Sequence, residues 1–292
     1  MSDPIPTLNQ IDTLVDDAVL AEYWQRGYWI SPKLFSDEQI ARLRHAHERI
    51  WANDFDHPYI QPQYGIHTAD VNTPKLRQQL NGFWLNDEVR QAVTSPVIGK
   101  IAAKLMKTSA VYLWHDQVIY KPGTAGQPTT NLGNVGWHQD YGYWQASSTT
   151  NMITAWVALQ DTDLSNGGMR TVVGSHKWGL VQDSATFGER DLEQLAKTYA
   201  SKGGGPWLDE PCILKAGQAS FHHSLTFHGS GPNTSDQPRL CVIAHMFPEG
   251  TAYREAGKQW HPNVVFLGPN ACDGQPFKGD FWPRLWPPEG GA

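Results

Sequence analysis

Apolar residues recur at Ile40, Leu43, Ala46 and Ile50 in the stretch FSDEQIARLRHAHERIW, a spacing of three to four that sets them on one face of a helix. Ser36 stands ahead of the stretch as an N-cap, and Gln39 three residues later completes a capping box. SPVIGKIAAKLM repeats the pattern: Ser95 is placed to cap, Pro96 suits the first helical position, and Val97, Ile98, Ile101, Ala102 and Leu105 form the stripe. From about Ala110 the grain changes to short β-rich runs broken by Gly, Pro, Asn and Asp: AVYLWHDQVIYKPG, MITAWVALQDTDLSNGG, RTVVGSH, CILKAGQASFHH and LCVIAHMFP. One helical stretch interrupts them, GERDLEQLAKTYASKGGG, with glycines to stop it. Helices mostly in the first half and strands in the second predict an α+β chain whose β part is a sandwich, barrel or jelly roll rather than a βαβ sheet.

Composition narrows the partners. A chain of 292 residues, 40% hydrophobic and 18% charged, is long enough for a full core and is expected to form one domain. Its formal charge of −6, with Lys and Arg scattered, offers no basic stripe for nucleic acid. Cys212, Cys241 and Cys272 are too few and too isolated for a disulfide framework. The N-terminus lacks the pattern of a signal peptide, and no run of eighteen apolar residues occurs, so a cytoplasmic protein without a membrane partner is expected. The C-terminal stretch from Gly257, rich in Trp and Pro, suits an irregular cover or a contact between subunits of a homo-oligomer.

GWHQDYGYW places His138 and Asp140 two apart, so in extended chain both aim at one side while Gln139 turns away. His228, in SLTFHGSGPN, is a candidate third ligand. Two histidines and one carboxylate on one side of an ion leave the opposite positions open, an arrangement associated with non-haem Fe(II) oxygenases. An isolated H-x-D is commonplace and, taken alone, reads more readily as a structural hydrogen-bonded pair than as part of a metal site. Arg239, eleven residues after His228 across a turn, adds a fork-shaped cation suited to a carboxylate. A jelly-roll binding protein without catalysis, its histidines structural and its aromatics stacking on a sugar, is the competing reading from another class.

H-x-D, the histidine of HGSGPN, the arginine eleven residues on, and the flanking YKPG and NGGMRTVVGSH together resemble the phytanoyl-CoA dioxygenase family, in order from GYWISPKLFSDEQIARL to about Phe247. The resemblance implies a double-stranded β-helix of the jelly-roll or cupin-like kind with N-terminal helices packed on it. The chain would form a single domain over 1–292: a helical part over about 1–108, the β core over about 109–250 and an irregular cover over about 251–292. It implies Fe(II) held by His138, Asp140 and His228, with 2-oxoglutarate and O2 as co-substrates. Arg239 would hold the far carboxylate of 2-oxoglutarate with help from Ser230, Trp156 would line the co-substrate site, and Gln117 would touch co-substrate or substrate. Some members carry asparagine just before the tyrosine of the YKPG turn; here it is Ile119, and that contact stays unassigned. The implied reaction hydroxylates a C–H bond of a small organic metabolite and releases succinate and CO2. Desaturation, epimerisation or ring formation at the same iron is the alternative. Related halogenases lack the carboxylate ligand, so Asp140 argues against halogenation.

Trp144 and Tyr143, beside the first two ligands, are the candidate substrate contacts. The segment between GSHKWG and EPCILKAG is long enough to be a lid or substrate wall. His222 shares the strand parity of His228, and His245 that of Arg239, so either could face the cavity, though both read more readily as structural histidines. His115, His176 and His223 have no spacing that demands a ligand role, Asp116 and Asp163 read as turn or solvent residues, and GGGP as a helix stop.

Overall fold

The computed structural model describes residues 5–58, 76–127, 133–255 and 261–288. Two helices lead, α1 (Ile11–Leu14) and α2 (Asp17–Arg26). The Asp16 carboxylate accepts from Val19 N–H to start α2, and Gly27 ends it with φ of 85°, a left-handed turn that glycine adopts without strain. After β1 (Tyr28–Ile30) comes α3 (Asp37–Trp51), which carries the predicted capping box. Ser36 Oγ accepts from Gln39 N–H at 3.2 Å, and Gln39 Oε1 accepts from Ser36 N–H at 2.8 Å. Ile40, Leu43, Ala46 and Ile50 form its buried face as the spacing predicts. β2 (Arg77–Leu80), α4 (Asp87–Val93) and α5 (Pro96–Met106) follow. Pro96 occupies the first turn of α5, where its missing N–H is one the helix leaves unpaired anyway, and Ser95 makes no side-chain capping bond.

The strands of the second half are β3 (Val111–Lys121), β4 (Val135–His138), β5 (Ile153–Ala158), β6 (Met169–Val172), β7 (Asp209–Pro211), β8 (Ala219–His223), β9 (His228–Ser230), β10 (Arg239–Pro248) and β11 (Arg284–Trp286). A helix α6 (Leu192–Lys202) separates β6 from β7, as GERDLEQLAKTYASKGGG predicts. The fold is mixed, with two antiparallel sheets. The larger runs β1-β8-β5-β10-β3-β11 with β2 also paired to β3, and the smaller runs β4-β9-β6-β7. Strands therefore also come from the N-terminal part, through β1 and β2, and from the C-terminal stretch, through β11.

One face of the large sheet carries the main core. Leu240, Val242, Ala244 and Met246 of β10 and Ala155 and Val157 of β5 pack against Leu43, Ile50, Ile98, Ile101 and Leu105 of the helices. Fully burying a side chain of this size contributes roughly 1.5–3 kcal/mol, so this layer holds the sheet flat against the helices. The opposite face looks toward the small sheet, and the cavity between them is lined by residues of both. No helix among the described residues is long and apolar enough to cross a membrane.

Candidate active site

His138 ends β4 and His228 begins β9, and the two are paired neighbours in the small sheet. Asp140 follows at the start of a single 3-10 turn, Asp140–Tyr143. Gln139 does turn away: its Nε2 donates to the carbonyls of Gly179 (2.8 Å) and Leu225 (2.7 Å), and its Oε1 accepts from Val181 N–H (2.8 Å). These bonds fix the backbone between the two candidate ligands. His138 Nε2 lies 3.6 Å and His228 Nε2 3.5 Å from Asp140 Oδ1, all three side chains buried.

The ring tautomers follow from the other nitrogen. His138 Nδ1 faces the Gly136 carbonyl at 2.7 Å and His228 Nδ1 the Thr226 carbonyl at 3.0 Å. A carbonyl only accepts, so each Nδ1 carries the proton and each Nε2 presents its lone pair toward Asp140. Neutral imidazole lone pairs converging with a carboxylate oxygen are the donor set that a divalent transition metal takes, and the ligating atoms lie within 4.8 Å of one another. Burial, reinforced by His138, holds His228 well below the usual imidazole value and keeps its ring neutral.

Two buried cations stand at one end of the cavity. Arg239 is 3% exposed; its Nη1 donates to Cys241 Sγ at 3.1 Å, and its guanidinium lies 5.1 Å from the Trp156 ring centre. Lys121, facing Arg239 in the β3–β10 register, is fully buried and donates to Ser230 Oγ and the Gly231 carbonyl, each at 2.6 Å. Neither has an acidic partner among the described residues. Burial, reinforced by Arg239, holds the Lys121 ammonium well below its usual value, so a charged pair here without an anion is costly and the chemistry of this end fits an incoming carboxylate. Lys121 also sets Ser230: the ammonium only donates, so it occupies a lone pair of the hydroxyl and leaves the Ser230 proton for another acceptor.

All nine residues singled out in the sequence line this one cavity of about 500 Å³: His138, Asp140, His228, Ser230, Arg239, Trp156, Gln117, Trp144 and Tyr143. The structure adds others. His222 on β8, Thr154 on β5, His245 on β10 and His115 on β3 form one row of cross-strand partners beneath Asp140. Thr154 Oγ1 donates to Asp140 Oδ2 at 2.7 Å and lies 2.8 Å from His245 Nδ1. His222 Nε2 sits 3.4 Å from the same Oδ2 without the alignment of a hydrogen bond. His222, His245 and His115 thus form part of the wall of the cavity, the first two on the faces their strand parity allowed, while His176 and His223 pack together away from it. Asp163 serves a turn, accepting from Ser165, but Asp116 is neither turn nor solvent residue. It is wholly buried, accepts from Phe83 N–H, and is pushed up to about 7 by burial. The long segment before β7 supplies wall residues Phe187 and Gly188, whereas α6 lies behind the small sheet, with Tyr199 packed on Phe227.

Residues 23–241 match the family model for phytanoyl-CoA dioxygenase. The chain is 24% identical over 230 residues to the peroxisomal phytanoyl-CoA dioxygenase of Bos taurus, covering 77% of this chain and 66% of that protein, just under two thirds of its length. It is 25% identical over 224 residues to a probable alpha-ketoglutarate-dependent hypophosphite dioxygenase of Stutzerimonas stutzeri, covering 76% and 75% of the two chains. Among solved structures, a non-heme alpha ketoglutarate dependent carbocyclase from nogalamycin biosynthesis superposes with a TM-score of 0.70 at 21% identity, covering 92% of this chain and 96% of the other. An epimerase from the same biosynthesis, solved with Fe3+, alpha ketoglutarate and nogalamycin RO, superposes with a TM-score of 0.68 at 23% identity, covering 92% and 100%. With the sequence match running over well more than half of its length, the chain belongs to the phytanoyl-CoA dioxygenase family of iron- and 2-oxoglutarate-dependent oxygenases.

Proposed function

We propose that this protein is an Fe(II)- and 2-oxoglutarate-dependent dioxygenase that hydroxylates a C–H bond of a small organic metabolite and releases succinate and CO2. The observation that carries the reading is the convergence of His138 Nε2, His228 Nε2 and Asp140 Oδ1, with both Nδ1 protons tied to backbone carbonyls. In this reading those three residues hold the iron, and Arg239, Ser230 and Lys121 hold the distal carboxylate of 2-oxoglutarate. Trp156 flanks the co-substrate, Gln117 lies between the two ends, and Trp144 and Tyr143 border the substrate. Iron and 2-oxoglutarate together supply the oxidising power for the C–H bond when bound.

The protein's own contribution is geometric. Asp140 Oδ2 is occupied by Thr154, so Oδ1 is the oxygen left to face the imidazoles. The side-chain bonds of Gln139 to the Gly179 and Leu225 carbonyls keep the ligand-bearing turn in place, and the buried walls keep bulk water from the reacting centre. The two sheets are read as the halves of a double-stranded β-helix, the whole chain as one catalytic domain, and the cytoplasm as its location.

Anaerobic addition of 2-oxoglutarate to the Fe(II)-loaded protein tests the site directly. A weak visible charge-transfer band is the expected result, and its absence in protein shown to contain iron overturns the assignment. The outcome of turnover comes from product mass with a metabolite set that stimulates succinate release. Gain of one oxygen supports hydroxylation; loss of two hydrogens or an unchanged mass replaces it with desaturation or epimerisation.

A further inference from the structure

The two ends of the cavity differ in kind. The Arg239 end holds buried cations, whereas the opposite end is walled by His115, His245, His261 and Trp144. The imidazoles stand close, His115 to His245 at 4.3 Å and His115 to His261 at 4.5 Å between ring centres, and Trp144 meets His245 edge-on at 4.8 Å. Among the described residues lining the cavity, only Asp140 and Arg239 bear a full charge, and the proposed function already employs both.

The hydrogen-bonding character of this wall can be worked out atom by atom. Thr154 has one hydroxyl proton, and Asp140 Oδ2 at 2.7 Å accepts it. Thr154 Oγ1 must then accept from His245 Nδ1 at 2.8 Å, so His245 carries its proton there. Its Nε2 is left as a lone-pair acceptor, buried and without a partner. His261 is the reverse. Its Nδ1 accepts from Asn263 N–H at 3.1 Å, which places the proton on Nε2 and makes that atom a donor. Burial pushes His261 down to about 3, so the ring is uncharged at neutral pH. The Nδ1 of His115 is a further buried atom without a partner.

We infer that the His245–His261 wall is the substrate-recognition subsite and that it takes the uncharged, oxygen-bearing part of a ring compound, a hydroxyl donating to His245 Nε2 and a carbonyl or ether oxygen accepting from His261 Nε2. The inference rests on the reading of His138, Asp140 and His228 as the iron site and of the Arg239 end as the 2-oxoglutarate site. A carboxylate, phosphate or ammonium placed against this wall loses its water and meets no counter-charge. A ring with hydroxyl and carbonyl groups satisfies the free acceptor and donor and stacks on Trp144.

The test uses protein loaded anaerobically with Fe(II) and 2-oxoglutarate, so that the cationic end is filled, with the charge-transfer band recorded first. Dissociation constants are then measured by ligand-observed NMR for 5-hydroxy-1-tetralone and for the matched 1-tetralone-5-carboxylate. The hydroxy-ketone is expected to bind at least about tenfold tighter than the carboxylate, and His261→Leu to weaken it about tenfold while keeping the band. His245→Leu is expected to remove the preference for the hydroxyl. Equal or tighter binding of the carboxylate, no measurable binding of the hydroxy-ketone, or an unchanged affinity in His261→Leu overturns the inference and leaves the iron site standing. Loss of the band in the unmodified protein overturns the iron site instead.

Discussion

Thr154 stands between two groups, Asp140 Oδ2 at 2.7 Å and His245 Nδ1 at 2.8 Å, and its single hydroxyl proton orders both. Replacing it with valine keeps the shape and removes the bond to the carboxylate. Thr154→Val is expected to weaken metal binding about 10- to 100-fold, read by anaerobic Fe(II) titration, with Thr154→Ser restoring it. Unchanged affinity in the valine variant would remove Thr154 from the account. Lys121 orders Ser230 at the other end as Thr154 orders Asp140. Lys121→Met deletes a buried cation and frees a lone pair of Ser230, so the KM for 2-oxoglutarate is expected to rise about tenfold or more while kcat falls far less. A kcat loss with KM unchanged would show that Lys121 does not hold the co-substrate. His138 and Asp140 stood out in the sequence by their spacing, and His228 and Arg239 as candidates through the motifs that resemble the family; the fold brings all four to one cavity. Thr154, His245 and Lys121 did not stand out, since each matters through a partner on another strand that only the register brings near.

At the scale of elements, the helices were the easier reading. An amphipathic face and a capping box are local signals, and α3 shows both. β10 is the opposite case: all ten of its residues are buried, so the alternation of a half-exposed strand is absent. Its two faces still differ, Arg239, Ile243 and His245 toward the cavity and Leu240, Val242 and Ala244 toward the helices, but both sides mix with apolar neighbours in sequence. The glycines after α6 were read as a stop. Gly203 does cap the helix, yet with an extended φ of −76°, and its Cβ position would press on the Trp178 ring at 2.7 Å. Close packing explains that glycine better than backbone freedom. Gly136 in β4 is the more consequential one, because a Cβ there would overlap the Thr186 carbonyl oxygen and come 2.7 Å from that of Glu189. The segment that supplies Phe187 to the cavity wall lies directly on this strand, with Gly136 N–H donating to the Phe187 carbonyl. Gly136→Ala is therefore expected to destabilise the fold by ~1–3 kcal/mol in urea unfolding and to weaken metal binding, since β4 carries His138. Wild-type stability in that variant would mean that the 186–189 segment yields without cost.

For the whole molecule, so many histidines placed out of water make acid the natural threat. His47 Nε2 lies 3.0 Å from the Cys241 carbonyl oxygen, and since a carbonyl only accepts, that nitrogen carries the proton and donates. Burial pushes His47 down to about 4, and His223 and His261 to about 3. In the unfolded chain each takes up its proton near the ordinary value of about 6.5. Between pH 6.5 and about 4 the unfolded chain therefore binds more protons than the folded one, and stability falls as pH drops, by up to ~1.4 kcal/mol per histidine per pH unit. Asp116 works against this. Burial raises its carboxyl to about 7, so over the same window it is protonated in the folded state while the unfolded chain still ionises, and it gains stability as pH falls. One carboxyl opposes three histidines, so the net slope keeps the sign of the histidines. Urea midpoints measured from pH 7 to 4.5 are expected to fall steadily below pH 6.5, and Asp116→Asn to steepen that fall because it removes the opposing group. A midpoint that holds constant down to pH 5 would show that these imidazoles take up their protons without unfolding the protein.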